Sequence, residues 1–183
     1  IDMINAILSA EDKTFFDHQG FDIRGIINAF FINIKNIFSK SNNNYVGAST
    51  ITQQLVKNIL LNNDQTITRK VKELILSIRL EKFYSKEFIL ELYLNEIYFG
   101  RRSYGIASAA NNYFNKSIFD LDLNEYAYLA ALPKGPNNYD PKKNYQKALD
   151  RRNYVLKQML INKFISSEMY ESEIKEKINA SEK

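Results

Sequence analysis

The chain has 183 residues, enough for one domain with a real core and too few for two independent ones. It carries 25 basic against 21 acidic residues, a net charge of +4 that suits phosphates, anionic lipid or nucleic acid without choosing among them. It has no cysteine, which excludes a disulfide framework, a thiolate metal site and a cysteine nucleophile, and no uncharged apolar run reaches the roughly 20 residues of a membrane-spanning helix.

Six glycines and three prolines leave few tight turns, and the apolar residues recur near a period of 3.6, so the class is all-α. The chain opens without an initiator Met, with Ile4, Ile7 and Leu8 already in helical register. A domain excised from a longer, membrane-anchored chain is therefore expected. The first helix is expected from about Asp2 to Glu11, followed by the loop AEDKTFFDHQG, which Gly20 closes.

Ile23 to Phe38 form a second unit, with Ile23, Ile26, Ile27, Phe30, Ile34, Ile37 and Phe38 at i, i+3, i+4, i+7 spacing. Ordinary core packing is the default for such a stripe. The Asn-rich segment SKSNNNY that follows, at 39 to 45, instead suggests a flap outside the main core, suited to a membrane interface.

Helices are then expected at about 49–61, 66–83 and 86–99, with Val71, Leu74, Ile75 and Ile78 as the core side of the second. Gly100 and Gly105 bracket a turn into GIASAANNYF, whose Ala107, Ala109 and Ala110 allow close helix contact. Asp122 and Glu125 have the spacing of a capping box, Pro133 ends that helix, and PKGPNNYDP is a constrained loop. Two more helices are expected, from about Asn144 to Ile161 and from about Ser167 to Ile178.

Three places carry candidate chemistry. Glu11 stands at a helix end near Phe15, Phe16 and His18, and partial burial beside aromatics is one route to a usable carboxylate base, although a capping or solvated Glu has the same sequence appearance. The lone His18 reads as a structural hydrogen-bonder. In GASTITQQLVKN, Thr50, Gln54 and Lys57 fall on one side of a helix, a stripe suited to an anion, with backbone N–H groups of Gly47, Ala48 and Ser49 at its start. A solvated face with Ser49 as N-cap accounts for the same spacing. Finally, Arg69, Lys70 and Glu73 form either a surface ion pair or a cationic cluster whose carboxylate holds a divalent ion against a pyrophosphate.

These segments, in this order, resemble the peptidoglycan glycosyltransferase domain of class A penicillin-binding proteins and of monofunctional peptidoglycan glycosyltransferases. The motifs are EDKTFFDHQG (11–20), GASTITQQLVKN (47–58), RKVKE (69–73) running on to Leu80 and Glu81, KEFILELYLNEIYFG (86–100), and GIASAANNYF (105–114) with LAALPKGPNNYDP (129–141) behind it. The resemblance extends to about Arg152.

It implies a lysozyme-like helical domain over 1–183 with a small membrane-associated jaw at about 21–46, acting on lipid II and on the growing lipid-linked glycan at the outer face of the bacterial cytoplasmic membrane. By motif match, Glu11 and Glu73 are catalytic. Thr50, Gln54, Lys57, Asn58, Arg69, Lys70 and Lys134 bind substrate or its phosphates, and Asp12, Phe15 and His18 shape the loop that carries Glu11. Glu73 is the candidate ligand for Mg2+ or Mn2+. No organic cofactor and no nucleic acid are expected. A transpeptidase domain elsewhere in the full-length chain is left open. A lysozyme-like glycan hydrolase and a catalytically silent membrane or scaffold module are the competing readings.

Overall fold

The computed structural model describes residues 2–38, 47–61 and 66–181. Its elements are α1 (Asp2–Glu11), α2 (Ile23–Phe38), α3 (Ile51–Leu60), α4 (Ile67–Phe83), α5 (Lys86–Glu96), β1 (Tyr98–Gly100), β2 (Ser103–Tyr104), α6 (Ile106–Phe114), α7 (Leu123–Ala131), α8 (Pro141–Ile161) and α9 (Ser167–Glu173). The all-α expectation holds, and the fold is lysozyme-like. The Asn-rich loop expected at 39–45 lies outside the described residues. The chain divides into two compact units, residues 1–13 with 91–183, and residues 14–90.

The first unit is built around α7. Ala127, Tyr128, Leu129, Ala130 and Ala131 are completely buried there, with α1 and α8 packed against the helix. The small residues let the neighbours approach, and the capping box of Asp122 and Glu125 starts the helix as the sequence spacing predicts. Aromatic packing closes the far side. Tyr113 meets Tyr128 edge-on at 5.6 Å, and its hydroxyl donates to the Phe99 carbonyl at 2.9 Å. Burial pushes both phenols well above their ordinary range.

Three boundaries differ from expectation. The run 86–99 does not stay helical: α5 ends at Glu96, and 98–100 pair antiparallel with 103–104. The hairpin turn is Arg101–Arg102, both left-handed at φ 46° and 57°, a conformation ordinarily left to Gly or Asn. Arg101 is held there by Asp140 at 3.0 Å, by the Ser181 carbonyl at 2.9 Å and by the face of Tyr113 at 4.6 Å. At the C-terminal side, α8 begins at Pro141 rather than at Asn144, because Asp140 caps it and Pro141 suits the first turn. Asn144 is instead a non-helical kink. Helix α9 stops at Glu173, short of the expected Ile178.

The second unit is smaller and more polar inside. Phe15, Ile51, Leu55, Val56, Ile89 and Leu90 are buried, together with Thr50, Thr52, Gln53, Glu73 and Ser77. Helix α3 packs on α4, and the expected core side of α4 is largely reversed: Val71, Ile75 and Ile78 are exposed and Leu74 is half-buried, while Glu73 and Ser77 face inward. The reason is chemical. The inward positions bond within the unit, Glu73 to Arg69 and Lys70 and Ser77 to the Glu73 carbonyl, so the buried oxygens of Glu73 and Ser77 are themselves paired.

Helix α2 occupies the expected span, and among its described side chains Ile23, Ile26, Ile27, Phe30, Phe31 and Ile32 are exposed, Ile34 is half-buried and Ala29 is buried. The Ile23–Phe30 part of its apolar stripe is therefore not spent on core packing. The helix starts at Asp22, whose carboxylate accepts from the backbone N–H groups of Gly25 and Arg24 and from the Thr14 hydroxyl.

Candidate active site

In the first unit, Glu11 is the last residue of α1. Its side chain is only 7% exposed, and Nη2 of Arg151, on α8, stands 3.5 Å from Oε1. The next residue, Asp12, is buried and continues the helical bonding by donating its N–H to the Leu8 carbonyl at 3.0 Å. Tyr93, on α5, is fully buried beside this pair, and burial, reinforced by the charges of Glu11 and Asp12, pushes its phenol far up. It is therefore a neutral hydrogen-bonding wall at any working pH. Lys134 stands in the 3-10 turn Leu132–Lys134 with its side chain exposed.

In the second unit, Phe15 is completely buried and His18 packs edge-on against it at 6.1 Å. Lys86 lies 4.5 Å over the Phe15 ring and 2.7 Å from Glu81, which also accepts from the Thr52 hydroxyl and stands 3.8 Å from His18 Nδ1. This cluster fixes the 15–18 stretch from beneath. Nothing local in the sequence pointed to Lys86 and Glu81 as its partners.

Gly20 ends the loop at φ 91°, where a Cβ would stand 2.7 Å from the backbone of Ser77, so both conformation and space require glycine.

Thr50, expected on the polar stripe of α3, is instead its N-cap and is buried. Its hydroxyl accepts from the Gln53 N–H and donates to the Gly20 carbonyl at 2.8 Å, while the Gln53 side chain accepts from the Thr50 N–H. The start of the helix is closed by this capping box, and Ser49 is not the cap. The signal was legible, since T-x-x-Q at 50–53 has the box spacing. Gln54 and Lys57 are half-buried further along α3 and Asn58 is exposed.

Arg69, Lys70 and Glu73 do come together. Glu73 is 2% exposed, Arg69 Nη1 stands 3.2 Å from its Oε2, and Lys70 Nζ contacts its Oε1 and reaches Ser49 Oγ at 3.2 Å. Two cations against one buried carboxylate leave a net positive cluster. Among the described residues, the buried Arg69 Nε has no hydrogen-bond partner, a donor that an anionic ligand would satisfy.

Among the described residues no group of three His, Asp or Glu side chains is placed to hold a metal ion. Both Glu73 oxygens already contact cations, so a divalent ion there would have to evict Arg69 or Lys70.

A family model described as transglycosylase matches residues 1–160. The chain belongs to the transglycosylase family. Among related proteins, penicillin-binding protein 1A of Rickettsia bellii is 49% identical over 163 residues, 89% of this chain and 20% of that protein. The penicillin-binding protein 1A of Haemophilus influenzae is 45% identical over 179 residues, 98% of this chain and 20% of that one. A crystal structure of penicillin-binding protein 1A from Haemophilus influenzae matches with a TM-score of 0.52 and 37% identity, covering 72% of this chain and 16% of that chain. The transglycosylase chain thus spans about a fifth of the length of the curated relatives it matches.

Proposed function

We propose that this transglycosylase polymerises lipid II into β-1,4-linked glycan strands and releases undecaprenyl pyrophosphate. The observation that carries the reading is Glu11, a nearly buried carboxylate with Arg151 at 3.5 Å, in a chain matched to the transglycosylase family over residues 1–160. In the proposed step, Glu11 takes the proton of the acceptor 4-hydroxyl as that oxygen bonds to C1 of the donor sugar. The bond from C1 to the phosphate oxygen breaks, its electron pair leaves on the pyrophosphate, and the α linkage inverts to β. A pyrophosphate leaving group needs charge stabilisation more than protonation, so a base and cations are sufficient.

Arg69, Lys70 and Lys57 are proposed to receive the phosphates, with Gln54, Asn58 and Lys134 contacting other parts of the substrates. Glu73 orients the two cations beside it, and Thr50 acts through the fold of its helix. Mg2+ or Mn2+ is proposed only as a counter-ion carried by the pyrophosphate, and no step is routed through it. Helix α2 is proposed to lie in the membrane interface. The chain's place would be the outer face of the bacterial cytoplasmic membrane, anchored by a segment of the full-length protein that also carries a transpeptidase domain. Among the described residues, no helix is long and apolar enough to cross a membrane.

The test is incubation with lipid II and a divalent metal, comparing the parent with Glu11→Gln. Loss of a general base is expected to lower the rate on the order of 10² to 10⁴. Undiminished polymer from the variant would remove Glu11 from the mechanism, and lysis of lipid-free peptidoglycan would favour a hydrolase.

A further inference from the structure

The hairpin turn between β1 and β2 puts two arginines in a left-handed backbone, at φ 46° for Arg101 and 57° for Arg102. A two-residue hairpin needs that conformation, and Asn or Gly takes it at lower cost than a longer side chain. The chain offsets the strain at only one of the two positions. Arg101 donates from Nη2 to Asp140 at 3.0 Å and from Nη1 to the Ser181 carbonyl at 2.9 Å, and its guanidinium lies 4.6 Å over the Tyr113 ring. Arg102 is exposed and has no hydrogen bond, ion pair or ring contact among the described residues.

The turn is also held firmly. Tyr98 and Tyr104 pair across the strands with ring centroids 4.9 Å apart, and Asn112 donates to Ser103 Oγ at 2.9 Å. Gly100, at φ 87°, lies so close to the next loop that a Cβ there would stand 2.7 Å from the Tyr113 hydroxyl and 3.0 Å from Pro136. The hairpin is thus packed, within the same unit, against the turn that carries the exposed Lys134. Asp140, the carboxylate bonded at this turn, is taken by Arg101. An ordinary surface arginine sits in a relaxed backbone and costs the fold nothing. At Arg102 a strained backbone presents a cation that the chain itself does not use, the pattern of strain kept for a ligand.

We propose that Arg102 is a substrate-contact residue whose guanidinium, with Lys134 on the adjoining turn, receives an oxyanion of the lipid-linked substrate, a phosphate or a carboxylate. The planar fork of an arginine matches either group with two parallel N–H donors, and the fixed hairpin presents it already in place. Arg101 anchors the turn and Arg102 reads the ligand. The inference rests on the lipid II reading and adds to it a binding residue outside the sequence stretches that suggested phosphate contacts.

The experiment compares Arg102→Gly and Arg102→Asn with the parent in the full chain, by lipid II turnover under detergent at low and high salt and by thermal melts. Both replacements suit a left-handed turn, so their melts should lie at the parental value or up to about 4 °C above it. Loss of a charge-assisted contact at an exposed site should raise KM for lipid II roughly 5- to 30-fold with kcat changed less than about threefold, and the difference should shrink at high salt. Parental KM in either variant overturns the proposal, as does a loss confined to kcat. A lowered melt in both variants also overturns it, because the fold would then be what holds the arginine. Lipid II with its peptide carboxylates amidated separates the two sources: a KM penalty that vanishes there assigns a carboxylate, and one that persists assigns a phosphate. No polymer from the parent protein would strike at the lipid II reading itself. Arg102 is then judged by titrating parent and R102G with inorganic pyrophosphate and with acetate, where tighter binding by the parent supports the proposal and equal binding overturns it.

Discussion

Replacing Phe30 and Phe31 with aspartate tests whether α2 is a membrane contact. The two rings are 61% and 65% exposed, so most of each is available to transfer from water into lipid. Full burial of a Phe side chain is worth about 1.5–3 kcal/mol, and the exposed share of these rings brings this to about 1–2 kcal/mol each. The pair should therefore weaken partitioning by about 2–4 kcal/mol, or roughly 30-fold to several hundredfold, before any cost of placing two carboxylates near the interface. The assay is flotation with liposomes of zwitterionic and anionic lipid at two salt concentrations, with a thermal melt as control. Both side chains point away from the core, so the melt should stay within a degree or two of the parent. Undiminished flotation with an unchanged melt would refute the reasoning and return α2 to some other surface role.

Thr50→Ala removes the N-cap of α3, worth about 0.5–2 kcal/mol, and the bond to the Gly20 carbonyl, worth about 0.5–1.5 kcal/mol. A melting temperature lower by roughly 3–10 °C is expected, with Thr50→Ser close to parental, and a T50A melt within a degree of the parent would show that the cap is not needed. Asp22 gives a pH dependence. Burial raises it, but hydrogen bonds from the Gly25 N–H, the Thr14 hydroxyl and the Arg24 N–H outweigh that and hold its carboxyl below the ordinary 3.8. A depressed carboxylate contributes stability that is present above its unfolded pKa and is lost as pH falls through the lower folded value. Asp22→Asn keeps a good cap, so urea midpoints should match the parent near neutrality and fall less steeply below about pH 4. Parallel acid limbs would count against it.

Much of the fold is legible from the chain because it is encoded locally. The ends of α1 and α2 and the capping box of α7 follow from periodicity, from Gly20 and from the 122–125 spacing. What escapes is set at long range. The stripe of Val71, Ile75 and Ile78 has the right period for a core face, and only the pairing of Glu73 with its two cations makes the opposite side the inward one. The hairpin after α5 was hidden because Arg101–Arg102 stands where Asn-Gly would announce a turn. In the candidate site, Glu11 and the 69–73 cluster were visible as residue types. Arg151 lies 140 residues from Glu11, and no spacing rule connects them.

The reversal of α4 has a consequence for how the molecule behaves in a tube. Val71, Ile75 and Ile78 lie at i, i+4 and i+7, an oily seam that water meets along one side of the helix, in a chain whose net charge is only +4. Mutual repulsion of that size is weak at physiological salt, so self-association should rise with concentration and ionic strength and be relieved by mild detergent. The oligomer seen in a sizing column would then depend on the surfactant as much as on the protein.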